Sequence, residues 1–522
     1  MSESNFILLN ANVVTLNPKQ PRAQAIAIQD GKIIAVGSNQ EIHKHARKNT
    51  KVIECRNRTI IPGLVDCHAH MLEFGFSLQN LNLRQVKSIR EIQEKLREHI
   101  DKNPELNWIL GGRWDQEKLA EKRYPTRMDL DAAVADKPVF LTRVCGCLGV
   151  ANTKTLQLVG ITKETTVKGG KIDLEEATGQ PNGIVRGNAM SLVWKVVPKP
   201  SKEELKKACL LACRKAVEAG LTGVHWLVRS AEEMGVLQRL YSEGRLPLRV
   251  YIGVPVELLD ETLSLGLLPS FGNDMIRMGF IKVLADGSLG ARTAALKKPY
   301  SDDPEKRGMM LYTQKELCQV VLKAHSGELQ LGVHAIGDRA MENVLKAFEK
   351  ALKKLPRQNH RHRIEHCSIL NPELITHMKR LSLVASVQPH FVVSDFWILD
   401  RVGRERARWA YPFKTLLEEG VTVASGSDCP IEQISPLLGI WAAVARKDNV
   451  EERLNVEEAL KTYTLNAAYA SFDEEKKGTI EAGKHADLTI VSHDLTKIPP
   501  EKIRDVAVEM VIVDGKIVYS KR

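Results

Sequence analysis

Several absences narrow what this 522-residue chain can do. No stretch approaches twenty uninterrupted apolar residues, the length a helix needs to cross a bilayer, so no membrane span is expected. The opening "MSESNFILLNANVVTLNP" has no basic segment leading into an apolar core, so no secretory signal is expected and the chain reads as cytoplasmic. The nine cysteines include no C-x-x-C pair and no regular framework spacing, which argues for reduced thiols rather than a disulfide scaffold. A formal charge of +11 raises the question of nucleic acid, yet there is no Arg-rich tail and no basic-aromatic platform. The basic residues mix with Glu on helix-patterned segments such as "SKEELKKACLLACRKAVEAG", the pattern of a solvated face. Nucleic acid is therefore not an expected partner.

What is present is a large soluble α/β pattern, with 43% hydrophobic and 27% charged residues. Both ends are β-rich and alike: "AIAIQDGKIIAVG" and "VEMVIVDGKIVYS" each carry Asp-Gly between alternating apolar runs, a strong hairpin signal. Neither end has enough strands for a stable sheet alone, so residues 1–60 and 476–522 are expected to form one small β-sandwich domain. Between them strands alternate with helical patterns. Candidate strands are 60–70, 221–227, 247–254, 278–286, 329–336, 361–368, 383–389 and 421–428. Eight short apolar strands separated by helices predict a (β/α)8 TIM barrel over 61–475. The interval 72–200 is too long for one connection. It is expected to be an inserted subdomain over the barrel mouth, with a helix at "SIREIQEKLREHI" and an irregular stretch through "GGKIDLEEATGQPNG".

Polar residues fall at telling places on these strands. In "IIPGLVDCHAHM", strand alternation sends His68 and His70 to the same side. Such a pair can hold a metal ion or simply hydrogen-bond at a strand end. Lys282 lies in strand four, His334 near the end of strand five, His366 near the end of strand six, and Asp428 closes strand eight. C-terminal strand ends face the catalytic mouth of such barrels, so the joint pattern points to a metal site. Cys67, Cys367 and Cys429 sit directly beside these residues, and alternation turns them towards the packed shell.

The ordered fragments "GLVDCHAH", "IKVLADGSLGARTAAL", "VHAIGDRAMENVL", "HRIEHCSIL", "SVQPHF", "ASGSDCPI" and "GTIEAGKHADLTIV" cover nearly the whole chain. Together they resemble the amidohydrolase superfamily, specifically its amidohydrolase-3 (YtcJ-like) branch, which includes N-substituted formamide deformylases. That resemblance implies a divalent metal cofactor, with zinc the expected ion, at one or two ions per chain. His68, His70 and Asp428 would bind one ion, and His334 and His366 a second. Lys282 would bridge them as an N6-carboxylated lysine, since a free ammonium cannot ligate. An ordinary lysine paired with Asp286 is the competing reading. The resemblance further implies hydrolysis of a C–N bond, amide or cyclic amidine-like, in a small-molecule substrate by metal-activated hydroxide, with Asp428 moving the proton. His390 would contact the substrate carbonyl. Arg292 and Arg143 would meet an anionic group, although each is equally readable as half of a structural ion pair; His225 reads as structural. Esterase or lactonase chemistry on the same site stays open, as does a catalytically silent barrel used for binding or assembly. A homo-oligomer such as a dimer also stays open. One departure stands out: "RVCGCLGVANTKTL" carries Cys147 where relatives usually have His, and nothing nearby completes a metal set around Cys145 and Cys147.

Overall fold

The computed structural model describes residues 6–47, 50–167 and 169–521. Two compact units emerge: Met1–Met71 together with Cys209–Arg522, and Leu72–Ala208. In the first, among the described residues, eight strands form one parallel sheet: β1 (Leu64–Ala69), β2 (Leu221–Leu227), β3 (Arg249–Pro255), β4 (Ile276–Leu284), β5 (Gln330–Ala335), β6 (Arg363–His366), β7 (Val384–Val387) and β8 (Thr422–Ser425). They pair in sequence order, and β1 meets β8 through a parallel bridge between Ala69 and Cys429. Asp428 N–H donates to the His68 carbonyl at 2.7 Å, and His70 N–H to the Cys429 carbonyl at 2.7 Å. These bonds zip the seam and make the sheet a (β/α)8 barrel.

Helices form where the apolar period is near 3.6. Asp338–Lys354 buries Met341, Val344, Leu345, Phe348 and Ala351 while its lysines stay in water. Each large apolar side chain buried there stabilises the fold by roughly 1.5–3 kcal/mol. Gln314–Ser326 starts at a capping box, in which Thr313 and Glu316 satisfy each other's backbone N–H groups. No helix among the described residues is long and apolar enough to cross a membrane.

The chain ends build a two-sheet sandwich. Four N-terminal strands form one sheet; the other is six-stranded and mixes both ends, with Thr59–Pro62 antiparallel to Leu488–Val491. Leu8, Val13, Ile26, Ile28, Ile60, Leu488, Ile490 and Ile512 share one core. The Asp-Gly hairpins form as predicted, with φ of 50° and 78° at Asp30 and Gly31 and of 51° and 67° at Asp514 and Gly515. Two successive positive φ values are the I′ turn that matches strand twist. The run expected as a single strand over 60–70 is two elements: Thr59–Pro62 belongs to the sandwich and Leu64–Ala69 to the barrel. The intervening Gly63 has Thr222 packed so closely that a Cβ would lie 2.3 Å from its Oγ1, and the chain changes sheets there.

The second unit departs further from the sequence expectation. It contains the helix Ile89–Lys102, but also a six-stranded mixed sheet. The stretch expected to be irregular is an antiparallel pair, Gly170–Leu174 with Pro181–Gly187. Pro181 is tolerated because it opens its strand, and a shifted register between Ile172 and Leu174 absorbs the irregular composition.

Candidate metal centre at the barrel seam

The seam between β1 and β8 brings together residues far apart in the chain. Asp66 staples it: one carboxylate oxygen accepts from His68 N–H and Ser427 N–H, both at 3.0 Å, and the other accepts from the Ser427 hydroxyl at 2.5 Å. Beyond these anchors, the side chains of His68, His70 and Asp428 converge, with ligand atoms all within 4.8 Å of one another. His70 Nε2 lies 3.3 Å and His68 Nε2 3.5 Å from Asp428 Oδ1. Asp428 reaches this position with φ of 54°, a left-handed conformation that Asp adopts more readily than most residues.

Four imidazoles then follow one another around the mouth. Ring centroids are separated by 5.6 Å for His70 and His68, 5.0 Å for His68 and His366, and 4.4 Å for His366 and His334. Strand alternation alone would turn Glu365 and His366 to opposite faces; φ of 79° at His366 re-aims the ring. A β-strand residue held there stores about 1–3 kcal/mol of strain, which the surrounding bonds must hold. Lys282 Nζ sits 3.1 Å from His68 Nε2. Burial pulls its amine down to about 8, against the opposing pull of the Glu365 and Asp428 charges. Among the described residues Lys282 makes no ion pair with Asp286. That carboxylate instead accepts from the backbone N–H groups of Ala295, Ile336 and Gly337 at 2.8, 3.1 and 2.9 Å.

Three of these histidines spend one ring nitrogen on an acceptor; the other nitrogen of His68 meets the Lys282 amine, while His366 and His334 keep theirs. His68 Nδ1 lies 2.5 Å from Glu365 Oε2, His366 Nδ1 2.6 Å from Gln388 Oε1, and His334 Nε2 3.0 Å from the Gly287 carbonyl. A ring N–H donated to a fixed oxygen leaves the opposite nitrogen with a lone pair, the arrangement metal-binding imidazoles require. A carboxylate set between two imidazoles, His68 and His70, matches the donor chemistry of a divalent ion, so these residues fit one. His334 and His366 supply two further imidazole donors, with Asp286 Oδ1 3.3 Å from His334 Nε2.

Beneath them lies a buried ion pair. Arg363 Nε donates to Glu365 Oε1 at 2.5 Å, and both side chains are fully buried. Arg363 also donates to the Cys67 carbonyl and the Ser386 hydroxyl, both at 2.6 Å, and meets His225 Nδ1 at 2.7 Å. Gly332 leaves room for this layer: a Cβ there would lie 2.8 Å from Glu365 Oε1. Opposing burial, the Arg363 charge and His68 hold the Glu365 carboxyl well below the usual range, so it stays an anion for His68.

Asp66, Glu365, Arg363 and Gln388 were not singled out from the sequence. The available signal was charge where a strand should be apolar, as in "VDCHAH" and "HRIEH". The remaining candidates lie as follows. His390 follows β7, with Nδ1 2.7 Å from Glu432 Oε2. Arg292 pairs with Asp302 at 2.8 Å. Arg143 belongs to the second unit, where Asp115 holds it at 2.8 Å and Gln116 at 2.6 Å. His225 is buried, and its Nε2 has no partner among the described residues. Cys67 packs with Val65, Val384 and Ala424, and the Cys367 thiol donates to the Ile364 carbonyl at 3.4 Å.

Comparison with known proteins agrees with this geometry. Residues 51–519 match the amidohydrolase family Amidohydro_3. YtcJ of Bacillus subtilis (strain 168), a putative amidohydrolase, is 34% identical over 98% of this chain and 98% of its own. The N-substituted formamide deformylase of Arthrobacter pascens is 25% identical over 99% of this chain and 98% of its own. A crystal structure described as an uncharacterized metal-dependent hydrolase of Pyrococcus furiosus superimposes with a TM-score of 0.79 at 32% identity, covering 94% of this chain and all of that one. The barrel, its seam and these matches together show that the chain belongs to the amidohydrolase family.

Proposed function

We propose that the protein is a metal-dependent hydrolase that cleaves a C–N bond in a small amide-like or cyclic amidine-like molecule. The observation that carries this reading is the convergence of His68, His70 and Asp428 at the seam, with His366 and His334 adjacent and each oriented by an acceptor. The N-substituted formamide deformylase among its relatives favours an amide substrate over an ester or lactone. A bound divalent ion, zinc in this proposal, would supply Lewis acidity and bring the pKa of water towards neutrality.

The chain's own residues do the rest. Asp428 is held far below the ordinary carboxylate range by the hydrogen bond from His70 and the neighbouring imidazole charges, which overcome its burial. It is therefore an anion at neutral pH, able to accept a proton from attacking water and return it to the leaving amine. His68 and His70 orient that carboxylate, and Glu365 fixes the His68 ring. Lys282 supplies a buried amine with a substantial neutral fraction at mildly alkaline pH, which can add carbon dioxide to become a carbamate anion with loss of one proton. That carbamate would add an anionic donor beside His334 and His366, making the centre binuclear. His390, oriented by Glu432, is suited to donate to a substrate carbonyl, and Arg292 to meet an anionic substituent.

The decisive experiment combines metal analysis of purified protein with hydrolysis of N-substituted formamides and simple lactones, before and after chelation. Two ions per chain and chelator-sensitive formamide cleavage are expected. Asp428→Asn should lower kcat by about 10²–10⁴-fold. Protein that holds no metal and cleaves neither class would sink the proposal, while one tightly held ion would sink the bridging role of Lys282.

A further inference from the structure

We propose that the Cys145-Gly146-Cys147 turn is a redox site, a dithiol that a peroxide converts to a disulfide within the loop. Nothing in the hydrolytic chemistry above uses these residues.

The turn joins two antiparallel strands of the second unit, Val139–Arg143 and Leu148–Ala151, and the Thr142–Gly149 register fixes both loop ends. Gly146 N–H donates to the Arg143 carbonyl and Gly187 N–H to the Cys147 carbonyl, both at 2.9 Å. Gly146 has φ of 67°, and a Cβ placed on it would meet nothing within 4 Å, so the turn tip is open. This backbone holds the two sulfurs 2.8 Å apart, in direct contact and between ordinary thiol contact and the ~2.05 Å of a disulfide bond. Cys145 is half-buried and Cys147 exposed, so a small oxidant can reach the pair.

The pair is also electronically prepared. A hydrogen bond from Cys147 and the Arg143 guanidinium, itself held by Asp115 and Gln116, lower the Cys145 thiol against the effect of burial. A thiolate stabilised beside a cation is the reactive form of cysteine. By contrast Cys55, Cys67, Cys209, Cys213, Cys367 and Cys429 are buried. Cys318 is half-buried, and its sulfur meets the Gln314 amide rather than another thiol. Among the described residues no third ligand joins Cys145 and Cys147 in a metal-binding group, which favours redox chemistry over ion binding.

The reaction balances with hydrogen peroxide as oxidant. The Cys145 thiolate attacks the peroxide, an S–O bond forms, the O–O bond breaks, and the departing hydroxide takes a proton and leaves as water. Cys147 then attacks Cys145 Sγ; the S–S bond forms, the S–O bond breaks, and the hydroxyl leaves as water with the Cys147 proton. Two electrons pass from the two thiols to the peroxide.

The test is graded hydrogen peroxide treatment of the full-length protein, followed by denaturation, maleimide labelling and peptide mass mapping. Loss of two hydrogens and of both labels from the Cys145–Cys147 peptide, reversed by dithiothreitol, is expected at peroxide doses that leave Cys318 labelled. In Cys147→Ser, Cys145 should accumulate a sulfenic acid trapped by dimedone about tenfold faster than Cys318. Both thiols remaining free while Cys318 oxidises, or Cys145 in Cys147→Ser reacting no faster than Cys318, would overturn the proposal.

Discussion

Strand β6 has histidines at both ends, and the two ends use them in opposite ways. Just before the strand, His362 spends both ring nitrogens: Nδ1 accepts from Leu331 N–H at 3.1 Å and Nε2 meets His325 Nδ1 at 2.9 Å. His325 passes its other nitrogen to the Leu355 carbonyl at 2.7 Å, and His360 is tied to Leu381 and to the His362 backbone. At the other end, His366 spends one nitrogen on Gln388 and keeps the second. Burial lowers the pKa of all four rings, so burial does not distinguish them. What distinguishes them is the count of acceptors and donors around each ring. At these two ends of the strand the saturated rings serve the structure, and the ring with a nitrogen left over is the one able to ligate.

The contrast can be broken most severely beneath the mouth. Glu365→Gln removes the anion shared by Arg363 and His68 and leaves a buried guanidinium short of its counter-charge. A stability loss of about 3–5 kcal/mol in chemical denaturation is expected. Metal affinity should fall about 10–100-fold with it. Unchanged metal affinity would show that Glu365 does not orient His68. Next comes the paired substitution at the two ends of β6. His362→Ala strands the Leu331 amide and His325, and should cost about 1–3 kcal/mol for each unsatisfied group while metal content holds. His366→Ala should lower metal content and turnover; if both variants lose metal alike, the two ends are not functionally distinct.

Acid sharpens the same comparison more gently. His360 is held at about 4 by burial first and by the Arg357 charge second, below its unfolded value near 6.5. The unfolded chain therefore binds the extra proton more readily between those two values. The stability contributed by a neutral His360 is full above pH ~6.5 and is lost as pH falls towards 4. His360→Gln should flatten this part of the stability–pH curve measured by urea unfolding, and an unaltered slope would assign the acid sensitivity elsewhere. The smallest effect is expected at Arg292→Ala. Its pairing with Asp302 is partly exposed, so stability should change by less than about 1 kcal/mol. A raised KM for anionic substrates at constant kcat is the readout of a binding role, and an unchanged KM would remove Arg292 from the site.

Much of this was legible before any coordinates. The eight barrel strands are short apolar runs separated by helices, and Leu221–Leu227 spans the predicted residues themselves. The Asp-Gly turns announced their hairpins because the I′ geometry is a local demand on two residues. His68, His70, His334, His366 and Asp428 stood out because polar residues at buried strand ends need a reason. Glu365 and Arg363 did not, since a charge in a strand reads as an edge until closure of the barrel buries it. The sheet of the second unit escaped notice for another reason: several of its strands carry glycine and charge in place of an apolar run, as in "ILGGRW" and "GKIDL", so no period separates them from loop.

The division between sequence and tertiary structure follows the range of the forces involved. Strand alternation, helix caps and turn conformation are settled within a few residues, so the sequence by itself determined the elements and the strand ends on which the ligands sit. Which nitrogen each imidazole keeps was decided only by the fold. The carboxylate that orients His68 lies 297 residues away in the chain, and the seam that brings Asp428 to His70 exists only once β1 and β8 meet. Hydrogen bonds act over about 3 Å, so no local pattern could have set partners that only barrel closure brings within reach.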